Sequence, residues 1–337
     1  MALGVPGLFW SADPEPITIR LGPLSLTPSG FLESITVVRS TTTHDDVSTR
    51  FGAIPLAPGP VEALDSFRNS RIALDGQMAL GPGTLSGYLE TDFLNRPPQP
   101  PYRFRQYFGR YTIGGWEFSA GQEWSLLRPN RRGLSTETDL LNTRVVDAGY
   151  HVGLLGYRNR QARVARRKGT WTAALGYENG RDWLPTLIRD TPRLHWEVVG
   201  VAGRHHYGAA ASATVHATRR IDLVTQQSRI QGGGKDALGT LPTGTPMTAT
   251  LGGIEARLGK RFLVYGYGGA VWGGRSGGNR RVAQWSAGFS RELLRDRYGL
   301  LSAGAEVSRV SRRLWDGPDG SQVFTMISIR RTLGPAR

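Results

Sequence analysis

Long and short breaks alternate along this 337-residue chain, and that alternation constrains its fold more than any motif does. Segments with period-two patterning, bounded by Gly, Pro, Asn and Asp, fall at 24–40, 66–78, 83–94, 102–112, 116–127, 157–166 and 170–179. They continue at 193–203, 206–218, 248–259, 261–272, 282–294, 298–314 and 321–333. Longer connections at 41–65, 95–101, 128–156, 179–192, 219–247, 273–281 and 316–320 take turns with short ones near Pro82 and at 113–115, 167–169, 203–205, 259–261 and 295–297. A soluble sandwich has no reason to sort its connections this way. A membrane barrel does, because long loops gather at one rim and tight turns at the other. The expected fold is all-β, an antiparallel up-and-down transmembrane β-barrel of about 14 strands. The range is 12–16, since 128–156 and 219–247 are each long enough to hold a hairpin.

Strand composition supports this reading. Glycine is abundant, at 45 residues, and the aromatics (Trp 9, Tyr 11, Phe 11) suit a pleated surface better than a helix. No run approaches the roughly 18 apolar residues of a membrane-crossing helix, and a closed barrel is the other architecture that satisfies its backbone in lipid. Trp116, Phe118, Ala120 and Trp124 share one face against Glu117, Ser119, Glu123 and Ser125. The two tryptophans are spaced for aromatic girdles, roughly 20 Å apart along the membrane normal. Trp171, Ala173, Leu175 and Tyr177 repeat the pattern, as do Leu301, Ala303, Ala305 and Val307. One such strand fits a soluble sheet as well; the repetition favours the barrel.

The barrel spans 24–333, with 1–23 read as a signal-peptide remnant or periplasmic extension and 334–337 as a tail. Loop 128–156 opens with Arg128, Arg131 and Arg132 and is the candidate constriction.

Forty-two basic residues against 27 acidic give a net charge of +15. Arginine is dispersed through strand contexts, without a basic block or recognition helix, so nucleic acid is not the expected partner. Strand parity assigns Arg71, Arg103, Arg105, Arg163 and Arg330 to the lumen, with Asn69, Asp75, Glu90, Asp92 and Glu117 as their partners. Across the Pro-rich loop Asp92 should face Arg103 and Glu90 should face Arg105. That parity requires a three-residue turn, Ile113-Gly114-Gly115, to keep Arg105 and Trp124 on opposite faces.

Cysteine is absent, which excludes thiolate chemistry, and no G-x-S-x-G, HExxH or Walker sequence is present. Gly232-Gly-Gly-Lys235 lacks the phosphate-loop spacing, and His205-His206 reads as a surface pair in a turn. No catalytic residue, metal or cofactor is expected. The competing readings are a barrel or soluble β-protein that binds an anionic polysaccharide or a protein partner, and an outer-membrane hydrolase using one of His44, His151, His195, His205 or His206.

The stretch 66–127 carries Asn69-Ser-Arg-Ile72, Gly87-Tyr-Leu-Glu-Thr-Asp-Phe93, Arg103-Phe-Arg105 and Gly121-Gln-Glu-Trp-Ser125. Under a fifth of the chain, it resembles the DcaP-like outer-membrane porins. The resemblance implies trimeric barrels in the bacterial outer membrane, among lipid and lipopolysaccharide, with arginine-lined pores for dicarboxylic and aromatic acids. Residue by residue it supports Arg71, Arg103 and Arg105 as pore-lining. The chain departs from that pattern in lacking N-terminal heptads and a terminal aromatic residue. The expected function is passive diffusion of small anionic solutes.

Overall fold

The computed structural model describes residues 17–43, 46–94, 98–135, 141 and 150–333. A short strand β1 (Ile19–Leu21) pairs with the start of β2 (Leu24–Arg39). Then follow β3 (Glu62–Ser66), β4 (Arg71–Leu80), β5 (Gly83–Asp92), β6 (Arg103–Ile113), β7 (Trp116–Trp124) and β8 (Arg158–Lys168). Next come β9 (Trp171–Glu178), β10 (Asp182–Asp190), β11 (Leu194–Ala202), β12 (Tyr207–His216) and β13 (Ile221–Gln231). The last five are β14 (Met247–Arg257), β15 (Phe262–Gly273), β16 (Asn279–Asp296), β17 (Gly299–Leu314) and β18 (Gly320–Leu333). Both β3 and β4 pair with β2, one above the other, and act as a single interrupted barrel strand. Each strand pairs antiparallel with the next, and β18 returns to β2 from Phe324↔Arg39 to Leu333↔Gly30. The result is a closed sixteen-stranded barrel without a free edge.

Sixteen is two more than the fourteen segments read from the sequence, and both extra strands lay inside presumed connections. One is β10, within 179–192, where Pro185 disguises a strand. The other is β13, within 219–247, a single strand rather than a hairpin. With β10 restored, 203–206 moves to the loop rim, although the sequence reading made it a short turn. The long connections 40–61, 93–102, 125–157 and 232–246 all lie at that rim, and every connection at the opposite rim has two to four residues. Strand β2 starts and β18 ends at the turn rim, as an even strand count requires.

Burial alternates in the sense of a membrane barrel. Outward positions expose Phe118, Leu175, Trp183, Leu223, Phe289 and Ile327, while inward ones bury Glu33, Asp92, Glu197, Gln226, Glu255 and Gln284. Apolar outside and polar inside is the pattern that lipid imposes. Segments from the long connections fill the loop half of the interior: Val47, Phe51, Leu127, Val152, Leu155 and Leu241 pack with wall residues in one buried cluster.

Candidate functional site: an arginine-rich lumen crossed by a loop

A one-residue irregularity in β6 sets which side chains enter the lumen. Glu90 lies opposite Gln106 and Thr91 opposite Phe104, so Arg105 is an extra residue bulged out of the ladder. Arg105 and Gln106 are both buried, and the faces exchange there: Phe104 and Tyr107 look outward, Arg103 and Phe108 inward. The turn that follows has two residues, Gly114-Gly115, with Ile113 opposite Trp116. Both glycines have positive φ, at 53° and 82°, as a tight hairpin demands. The three-residue turn expected from parity is therefore absent. The bulge performs the face change that the turn was meant to supply.

Around the bulge, carboxylates and guanidinium groups interlock. Arg103 forks onto Asp92, Nε to Oδ1 at 2.7 Å and Nη2 to Oδ2 at 2.9 Å. Arg105 spans two acids, donating to Glu90 at 2.6 Å and to Asp92 at 2.5 Å. Arg71 lies 3.8 Å from Glu90 and rests on the Phe31 ring. Arg330 lies over the same ring and binds Glu33 at 2.6 Å, and Asn69 also donates to Glu33. Arg163 bridges Glu117 at 2.8 Å and Glu123 at 3.4 Å. Asp75 occupies an inward position opposite Tyr88, four residues from Arg71, toward the turn rim.

The described parts of connection 125–157 lie inside the barrel and are tied to the far wall. Asn130 donates to Glu197 through its backbone N–H and its side-chain amide, at 2.9 and 3.2 Å. Arg131 forks onto Glu255 at 3.0 and 2.5 Å, and the Gly133 N–H reaches Asp190 at 2.5 Å. On the return, Val152 N–H reaches Gln284 and Leu155 N–H reaches Gln226, both at 2.9 Å. The wall is cut back to admit it: a Cβ on Gly269 would meet the Val152 carbonyl oxygen at 1.8 Å. Arg132 is exposed, and residues 136–140 and 142–149 lie outside the described residues.

Where this loop leaves β7, the wall gains cations that parity did not predict. Trp124 is buried, not part of an outer girdle, and both Arg128 and Arg158 lie over its ring, at 4.8 and 5.0 Å. Tyr150 meets the same ring edge-on at 6.2 Å. Arg71, Arg103, Arg105, Arg128 and Arg158 thus share one electrostatic neighbourhood with two carboxylates, Glu90 and Asp92, and with the Tyr150 hydroxyl. Burial holds the Tyr150 phenol up, but Arg158, Arg105, Arg71 and Arg128 outweigh it and bring its pKa down to about 7. Arg128, buried among like charges, is pushed down to about 9 and stays protonated at neutral pH. Arg158 shares strand parity with the exposed Arg160, but stacking on Trp124 at the strand end turns it inward.

A histidine closes the loop rim. His206 is buried, not a surface residue, and bridges Asp182 at 3.0 Å and Asp236 at 2.7 Å. Lys235 also approaches Asp182, and the Asp236 carbonyl accepts the Gly156 N–H at the end of the inward loop. His195 stands between Asp190 and Glu197, the two acids that hold the loop's first turn. His151 is buried and its ring nitrogen contacts the Val152 carbonyl, with burial pushing its pKa down to about 4. His44 lies outside the described residues.

The fold has solved counterparts. The DcaP outer-membrane channel of Acinetobacter baumannii superposes with a TM-score of 0.77 over 92% of this chain and 97% of its own, at 13% identity. The fold is that of the DcaP-like porins. An anion-selective porin from Comamonas acidovorans matches with a TM-score of 0.62 over 92% of this chain and all of its own, also at 13% identity. A trimer form of OmpT, an outer-membrane protein of Vibrio cholerae, matches at 0.60 and 10% identity, over 92% of this chain and all of its own. No protein-family model matches the sequence. No curated protein matches it either.

Proposed function

We propose that this DcaP-like barrel is an outer-membrane porin through which small anionic solutes diffuse passively. Five guanidinium groups, those of Arg71, Arg103, Arg105, Arg128 and Arg158, gather beside the inward loop with two carboxylates among them, and this surplus carries the reading. A lumen of low dielectric focuses such a field and raises the local concentration of anions. Guanidinium groups suit the task because they stay charged and exchange carboxylate or phosphate ligands between neighbours. Residues 128–156 form the constriction, with Arg128 and Arg131 at its root. Arg330 is paired with Glu33 and Arg163 with Glu117, and both serve mainly to stiffen the wall. Assembly as a trimer is proposed from the resemblance and from the trimer form of the Vibrio neighbour.

The test is a reversal potential across a planar bilayer under a salt gradient. The wild type should prefer chloride over potassium. Arg71→Gln/Arg158→Gln, which removes charge without stripping Asp92 of its partners, should lower that preference about fivefold, roughly 1 kcal/mol of field. Cation preference in the wild type, or an unchanged potential in the variant, sinks the proposal.

A further inference from the structure

Charge is unevenly spread over the outer wall. Outward positions on β5, β6 and β7 are uncharged, among them Leu89, Phe104, Tyr107, Trp116, Phe118 and Ala120. Toward the loop rim of β13–β17 the outer wall instead carries arginine. The register aligns Arg229, Thr248, Trp272, Arg281 and Arg313 in one row, each directly opposite the next. Four residues further down the strands a second row carries Gly268, Trp285 and Arg309. The rows stand ~10 Å apart along the membrane normal for strands tilted ~40°. Between them lie Thr250, Ala270, Ala283 and Ser311, whose small side chains leave a trough of about 610 Å³. Tryptophans and arginines form its walls.

Among the described residues three of these arginines, Arg229, Arg281 and Arg309, have no carboxylate partner, whereas Arg313 pairs with Asp319. Arg281 lies across the Trp272 ring at 5.7 Å with its Nε buried and without a hydrogen-bond partner. Arg309 is exposed opposite Trp285, below the rim, and among the described residues it makes no ion pair. A guanidinium on the lipid face is costly, and the cost grows with depth; an anion at the same depth removes it. Lipid supplies the anion best. A second copy docking through its uncharged β5–β7 wall would bury Arg281 and Arg309 with no counter-charge, and a free solute anion would not gain from the apolar strip below. That strip, Ala287, Phe289, Ala305 and Val307, continues directly down from Trp285 and Arg309 and offers an acyl chain its bed.

We propose that the outer wall of β15–β17 binds the phosphorylated head group of an outer-leaflet lipid of the lipopolysaccharide type. Arg281 and Arg309 hold the phosphate, Trp272 and Trp285 flank the sugar, and an acyl chain runs along Ala287 and Phe289. Phosphate matches the guanidinium fork, and tryptophan suits the polar–apolar boundary. The inference rests on the outer-membrane reading but not on anion permeation, and conductance separates the two.

Native mass spectrometry of the detergent-solubilised protein provides the test, with bisphosphorylated lipid A and its dephosphorylated form as probes. The wild type should bind the bisphosphorylated form, and Arg281→Gln/Arg309→Gln should bind it roughly tenfold more weakly. Arg189→Gln, on the outer wall near the turn rim, should bind like the wild type. Heat-modifiable migration and unchanged conductance would show that the double variant is folded. Equal binding by the double variant, or equal binding of dephosphorylated lipid A by the wild type, overturns the proposal. So does conversion of an oligomer to monomers in the double variant, which would assign the row to a contact between copies.

Discussion

Arg105 shows how much a single residue can decide in a barrel wall. Its bulge places two consecutive side chains in the lumen and lets Asp92 and Glu90 bind the same guanidinium. Asp92 is fully buried and serves both Arg103 and Arg105, so Asp92→Asn leaves two guanidinium groups short of a counter-charge. Chemical unfolding in detergent should register a loss of about 3–5 kcal/mol; a change below about 1 kcal/mol would mean the cluster is solvated rather than structural. Tyr150 offers a second check. Its pKa of about 7 makes it a neutral phenol in mild acid and a phenolate in mild base, in the midst of four arginines. Anion preference should therefore decline as pH rises through about 7, and Tyr150→Phe should flatten the profile. A wild-type profile already flat from pH 6 to 8 would refute this role.

Elements differ in how plainly the sequence announced them. Strands with an aromatic outer face, such as β7 and β9, were readable because lipid imposes strict alternation. By contrast β13 escaped, since its outward side chains Thr225, Gln227 and Arg229 are polar and its leading turn contains no glycine. The pairing of Asp92 with Arg103 followed from parity across a loop, whereas the Trp124, Arg158 and Tyr150 group did not, because side chains at a strand–loop junction leave the alternating pattern. The inward loop is the element most open to testing. Gly269→Val would drive a side chain into the Val152 carbonyl, so the loop should be displaced and single-channel conductance should rise; unchanged conductance would show that the loop yields elsewhere. His206 adds a pH dependence at the loop rim. Burial opposes its charge, but Asp236 and Asp182 outweigh burial and the nearby Lys235, and raise its pKa. Its bridge is thus complete below the ordinary histidine value near 6.5 and is lost as pH rises through the elevated value. Hydrogen exchange at Gly156, whose N–H binds the Asp236 carbonyl, should accelerate over that interval beyond the intrinsic rate, and His206→Gln should remove the transition.

Across the whole molecule, closure of sixteen strands leaves no edge for aggregation, and arginine stands both in the lumen and on the outer wall. The inward loop leaves β7 and β8 and fastens to β11, β13, β14 and β16 on the far side. In mechanical terms it is a spoke across a hoop. A thin ring is soft toward ovalisation, and lateral pressure in a bilayer fluctuates; a spoke secured at several points converts that soft mode into bending of the loop itself. Changes in bilayer thickness or tension should consequently leave the cross-section of this barrel nearly unchanged, while a barrel released from its spoke would breathe with the membrane around it.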